Sequence, residues 1–139
     1  MIGDMVDMER NNVCIRFIGK DTIDFEQLKS MLPFDFRISK KGDVLFKRYV
    51  VENDVAVLEF DLQSNTLEDK ISEFLNKLKP YKAEMVSLSN VCDTILRIYL
   101  ESDMAQMYGF IPNELLAEIA ELKLDFEISI FSEGMCEDR

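Results

Sequence analysis

Two carboxylates two residues apart, Glu59 and Asp61, stand near the middle of a 139-residue chain that contains no histidine and no tryptophan. Paired acids on one side of a strand are the minimum for acid–base work, one giving and one taking a proton. No nucleophile stands beside them. Without histidine neither a Ser-His-Asp nor a Cys-His pair can form, and a His-based metal site is excluded. Cys14, Cys92 and Cys136 are 78 and 44 residues apart with no CxxC, so a zinc or thioredoxin-type reading has next to no support. Cys14, inside the apolar run VCIRFIG, reads as a half-buried strand residue, and Cys136 as a free thiol of a reducing compartment. The expectation is a protein that is not an enzyme, with no cofactor and no metal.

Binding chemistry is better represented than catalysis. Alternation along the strands would place Arg16, Arg37, Glu59, Asp61, Arg97, Tyr99 and Glu127 on one sheet face, where guanidinium groups and a phenol suit a small anionic ligand. The plainer reading is cross-strand ion pairing, worth roughly 0.2–1 kcal/mol per pair. Arg37, Lys40, Lys41, Lys47 and Arg48 cluster around Gly42 without any Walker or GxGxxG pattern, and exposed lysines also guard sheet edges.

Charge is uneven along the chain. Acids outnumber bases 27 to 16 overall, yet residues 101–139 hold ten acids against two bases, while 13–100 hold 14 against 13. A surface formed by Glu101, Asp103, Glu114, Glu118 and Glu121 would steer a basic, toxin-like protein toward the chain, with strong salt dependence; a solvated helix face is the alternative. Net acidity excludes a free-standing nucleic-acid binder, and no apolar run reaches membrane-spanning length. The first residues, MIGDMVDMER, lack a signal-peptide core, so the expected location is the cytoplasm; a homodimer is one further expectation.

The elements that must position these residues follow from periodicity. Strands are expected at 13–19, 34–39, 44–51, 55–63, 83–89, 94–102 and 124–131, with 44–51 and 55–63 joined as a hairpin through Glu52-Asn53-Asp54. Helices are expected from Asp21 or Thr22 to Leu32, from the Thr66 cap to Pro80, and from Pro112 at the first helical position to Leu122. In the last, Leu115, Leu116, Ile119 and Leu122 form the apolar side. Residues 1–12 read as a loosely ordered segment, 103–110 as a polar loop, and 132–139 as a flexible acidic tail. An echo between LPFDFRIS (32–39) and LKLDFEIS (122–129) suggests two duplicated strand-helix-strand units. The predicted fold is one α+β domain over 13–131: a largely antiparallel sheet of six to seven strands, three helices on one face, and ferredoxin-like character.

Several short motifs carry a family resemblance: Arg16, Phe17 and Gly19; Lys41 and Gly42; Leu62 and Ser64; Gly109, Pro112, Leu115, Leu116 and Leu122. On these the chain resembles the bacterial domain of unknown function numbered 4279 over about residues 13–131, with Phe60 standing where that family's strand-to-serine motif has a tryptophan. The resemblance implies no catalytic residue. It does imply a kinship with small domains that look like immunity proteins encoded beside toxins. The functional expectation is a non-enzymatic interaction module, an immunity-type inhibitor of a basic partner, with a small-ligand sensor on the polar sheet face as the alternative.

Overall fold

The computed structural model describes residues 11–102 and 109–132. In chain order these form β1 (Asn12–Gly19), α1 (Phe25–Met31), β2 (Phe36–Ser39), β3 (Val44–Leu45), β4 (Tyr49–Val50), β5 (Val55–Leu58), α2 (Leu67–Leu78), α3 (Lys82–Leu88), β6 (Cys92–Ser102), α4 (Asn113–Glu121) and β7 (Asp125–Ser132). A 3-10 turn, Lys79–Tyr81, joins α2 to α3 as one bent helical segment. Five strands make the main sheet in the order β2-β5-β1-β6-β7, antiparallel except for β6 and β7. The run β1-α1-β2-β5-α2-β6 therefore has the strand order of the split β-α-β, ferredoxin-like arrangement, to which α4 and β7 add a parallel edge strand. The two echoed segments end as β2 and β7, the opposite edges of the sheet.

Alternation decides which side is buried. Ile15 faces Leu58 and Leu96 across the ladder, Val13 faces Ile98, and all five are buried. Against this side pack Leu28 of α1 and Leu32 just after it, Ile71, Phe74, Leu75 and Leu78 of α2, Met85 and Leu88 of α3, and Leu115, Ile119 and Leu122 around α4. All three helical segments thus cover one face. Phe34, Phe60, Phe74 and Tyr81 close one end of the core through edge-on contacts 4.7–5.3 Å between centroids. Phe60, at the expected tryptophan position, is central to that group.

Local chemistry sets the helix ends. Thr66 Oγ1 accepts from the Asp69 N–H at 3.1 Å, the N-cap read from the sequence. The first helix is capped instead by Asp24, whose carboxylate accepts from Gln27 N, while Asp21 and its neighbours stay in the preceding loop. Pro112 is the N-cap residue, so α4 starts one position later than expected, and Leu116 is 45% exposed rather than part of its apolar side.

Three further expectations are corrected. The expected strand at 83–89 is instead helix through Leu88, with Ser89 as its C-cap: Leu78, Tyr81, Met85 and Leu88 recur at three- and four-residue spacing, and Pro80 sits in a 3-10 turn that needs no N–H there. The 44–51 run does not pair with 55–63. It folds on itself as the β3–β4 ribbon, which leaves β5 free to pair with β1 and β2. The main sheet consequently has five strands, and β5 ends at Leu58 because Phe60 and Leu62 turn toward the helices. The readings of 1–12 and 132–139 as loose ends and of 103–110 as a loop rest almost wholly on residues outside those described, as do those of Asp103 and Cys136.

Candidate functional site

The sheet face away from the helices collects the expected charged set. Register aligns Cys14, Arg97 and Glu127 across β1, β6 and β7, with Arg16 and Arg37 both opposite Val57 and Tyr99 opposite Asn12. These groups close on one another. Arg16 Nη1 donates to Glu127 Oε1 at 2.8 Å, Arg37 Nη1 to Glu59 Oε1 at 3.0 Å, and Asn12 Nδ2 to Glu59 Oε2 at 3.3 Å. Arg97 Nε lies 3.9 Å from Glu127 Oε1, shielded from solvent and without a hydrogen-bond partner among the described residues. Asp61 lies beyond β5 and is exposed, so the Glu59–Asp61 pair does not share a strand. Glu59 itself is held by Arg37 and Asn12, an arrangement suited to bracing the sheet.

Beneath this layer sits the Cys14 thiol. Burial, with the negative charge of Glu59, raises its pKa above the ordinary value. Cys92 is buried too, donates from Sγ to the Leu88 carbonyl at 3.3 Å, and is pushed up to about 11 by burial and by Asp93. Neither is a ready nucleophile. No group of three or more His, Cys, Asp or Glu side chains able to hold a metal ion occurs among the described residues.

Two carboxylates that sequence reasoning passed over organise the loops. Asp54 is only 6% exposed. Its side chain accepts from Ile23 N at 2.8 Å and Lys41 N at 2.7 Å, and its backbone exchanges bonds with Asp21 and Gly19. Those two N–H donors hold the carboxyl below its ordinary pKa. A Cβ on Gly19 would sit 2.8 Å from Ile23 Cγ1 and 3.0 Å from the Thr22 carbonyl oxygen, and Gly42 has φ +95. The resemblance positions Gly19, Lys41 and Gly42 therefore gather around one structural clasp. Similarly Glu73 on α2 accepts from Gln63 N, Ser64 N and Ser64 Oγ, which lowers its pKa and fixes the entry to the helix. An acid inside a turn or helix is also what a solvated surface offers, so spacing alone carried no signal for either.

Surfaces that do not close on themselves lie at two corners. The β3–β4 ribbon turns through Phe46 and Lys47, both at positive φ (53 and 66), with Arg48 N donating to Leu45 O at 3.1 Å. That is the type I′ pattern, which Asn and Gly normally fill. Phe46 is 91% exposed, and Val44, Tyr49 and Val50 are exposed beside it. The signal in the sequence was the short palindrome-like run VLFKRYV, with its basic pair at the centre.

At the other corner a groove of about 260 Å³ is lined by Leu67, Ile98, Leu100, Ile111, Ile128 and Ile130, together with Gly109. Ile128 and Ile130 are more than half exposed, and among the described residues no helix covers the end of β7. Of the expected acidic set, Glu118 pairs with Lys79 at 3.5 Å and Glu121 with Lys82 at 4.0 Å, so that part of α4 is tied to the bent helical segment. Glu101 and Glu114 form no ion pair with a described residue; Glu101 follows the groove residue Leu100 but on the other face of β6, and Glu114 lies three residues after Ile111. No helix among the described residues is long and apolar enough to cross a membrane.

Residues 9–133 match the family model described as Domain of unknown function (DUF4279). No curated protein and no solved structure matches the chain.

Proposed function

The chain belongs to the DUF4279 family, and from that premise we propose that it is a non-enzymatic protein-interaction module whose docking surface is the apolar groove at the β6–β7 corner. One observation carries this reading: Ile128 and Ile130 remain more than half exposed in an apolar groove. Near it in sequence, and without an ion partner among the described residues, are Glu68 after Leu67, Glu114 three residues after Ile111, and Glu101, which follows Leu100 but lies on the other sheet face. Such a corner suits a partner that inserts an apolar side chain and surrounds it with Lys or Arg. The finer proposal is an immunity-type inhibitor: a basic toxin-like protein is held at this corner, with Glu101 and Glu114 steering its approach. Glu118 and Glu121 contribute less, since each already has a lysine partner. The test is the protein encoded beside this one. A basic neighbour that co-purifies with the chain on co-expression supports the inhibitor, and a neighbourhood without any such gene counts against it.

A small anion on the sheet face is the second reading, favoured by Arg97 Nε, a shielded donor with no hydrogen-bond partner among the described residues. Thermal melts against phosphate, sulfate and small carboxylates test it: a shift of several degrees that Arg97→Gln removes is required, and no shift ends it.

A further inference from the structure

The two edges of the main sheet differ in how they are protected. β2, at one edge, is four residues long, carries Arg37 and runs directly into Lys40 and Lys41. Short length and cations are the usual devices that keep a sheet edge from pairing with another chain. β7, at the other edge, has neither. Its eight residues, DFEISIFS, include no Lys, Arg, Pro or Gly, and all eight stay in step with β6 without a bulge. Among the described residues only β6 pairs with β7, so its outer row of backbone N–H and C=O groups lies open along about 26 Å.

The order of side chains along β7 selects an occupant for that row. Phe126, Ile128 and Ile130 lie beside the buried Leu96, Ile98 and Leu100 on the helix-covered side, yet are themselves 37%, 51% and 60% exposed. Asp125, Glu127 and Ser129 alternate on the other side. A second β7, antiparallel and turned about a two-fold axis through Ile128, sets Ile128 against Ile128 and Phe126 against Ile130 on both flanks. Apolar then meets apolar along the whole row. On the opposite side Glu127, already bonded to Arg16, meets Ser129, and neither acid of the strand faces another acid. An axis through Glu127 would oppose two carboxylates, and one through Ser129 would set Phe126 against Ser132. A shift of half that step would set apolar positions against polar ones.

We propose that β7 is the edge at which two copies of this chain join, antiparallel about Ile128, in one continuous ten-stranded sheet with the helices of both copies on the same side. The contact is isologous and the β2 edges are guarded, so assembly closes at two copies. Because it uses the main chain of β7, it does not rest on the docking reading, although Ile128 and Ile130 belong to both surfaces.

Sedimentation velocity on the full chain tests the assembly, and a charge swap tests the register. A concentration-dependent dimer is expected, little changed between about 50 mM and about 500 mM salt, because backbone bonds and apolar rows hold it. Ile128→Lys and Ile128→Glu each place like charges directly opposite, at a position exposed enough to keep the native melt, and each should weaken the dimer by roughly tenfold. An equimolar mixture of the two variants should restore it as a heterodimer. In the unaltered chain, amide hydrogen exchange over 125–132 should slow as concentration rises, a readout that needs no variant. A monomer at every concentration overturns the proposal and leaves the edge to a strand of another protein. A dimer that neither variant weakens, or that mixing fails to restore, overturns it too. Capture of a basic protein at the groove is a different readout, so the docking reading is judged separately.

Discussion

Replacing Asp54 by Asn removes one negative charge and almost no volume, and the structure says where the cost falls. The Asp54 carboxylate receives two backbone N–H groups, from Ile23 at 2.8 Å and from Lys41 at 2.7 Å, in a residue 6% exposed. Hydrogen bonds to a charged group contribute about 1.5–3 kcal/mol each, and the new amide turns one acceptor into a donor facing a donor. Asp54→Asn should therefore lose about 2–4 kcal/mol at pH 7. At this chain length each kcal/mol moves Tm by roughly 3–5 °C, so a fall of order 10 °C is expected by calorimetry. The pH dependence fixes the mechanism. Because the folded pKa is depressed, the stabilisation is fully present above the unfolded value, about 3.9, and is lost as pH falls through the folded value below it. The gap between wild type and variant should thus be constant from pH 7 to about 5 and shrink toward pH 2. Equal melting temperatures at pH 7, or a gap unchanged in acid, would refute the clasp.

Other outcomes follow from the same geometry. Gly19→Ala should cost about 1–3 kcal/mol in urea unfolding, because its Cβ meets the backbone of Thr22 as well as Ile23. Phe46→Asn combined with Lys47→Gly should raise stability by order 1 kcal/mol, since both positions have positive φ and the pair supplies the preferred type I′ turn; a lower Tm would contradict that account of the ribbon. In native protein at pH 8, Cys14 and Cys92 should both resist alkylation, with Cys92 held at about 11, and both should react after denaturation; peptide mapping reads the difference.

Much of the architecture was legible because burial enforces period. Ile15, Leu58, Leu96 and Ile98 alternate with Arg16, Glu59 and Arg97, and one-residue slips would expose the whole set. Segment 83–89 misled because a short stretch with apolar residues at 83, 85, 86 and 88 fits a strand as well as a helix when read alone. Only the longer row from Leu78 through Tyr81 to Met85 and Leu88 reveals the helix. The ribbon misled for another reason: β propensity marks a strand without naming its partner, and Val44 found Val50 four residues beyond Phe46 rather than β5. At the sites the limit is different. Charge types forecast the Arg–Glu layer, but the importance of Asp54 and Glu73 depends on which N–H groups the turns deliver to them, a tertiary fact with no local pattern. The groove depends on where the described helices leave Ile128 and Ile130 uncovered, which is tertiary placement with no local pattern.

The most direct test of the docking reading is capture on the immobilised full chain from lysate of its source cells, compared at about 50 mM and about 500 mM salt. The account predicts that a basic protein is retained at low salt, is released at high salt, and is not retained by the variant carrying Glu101→Lys and Glu114→Lys. Retention of nothing beyond the bare matrix at low salt, or of proteins indifferent to both salt and charge reversal, would contradict it.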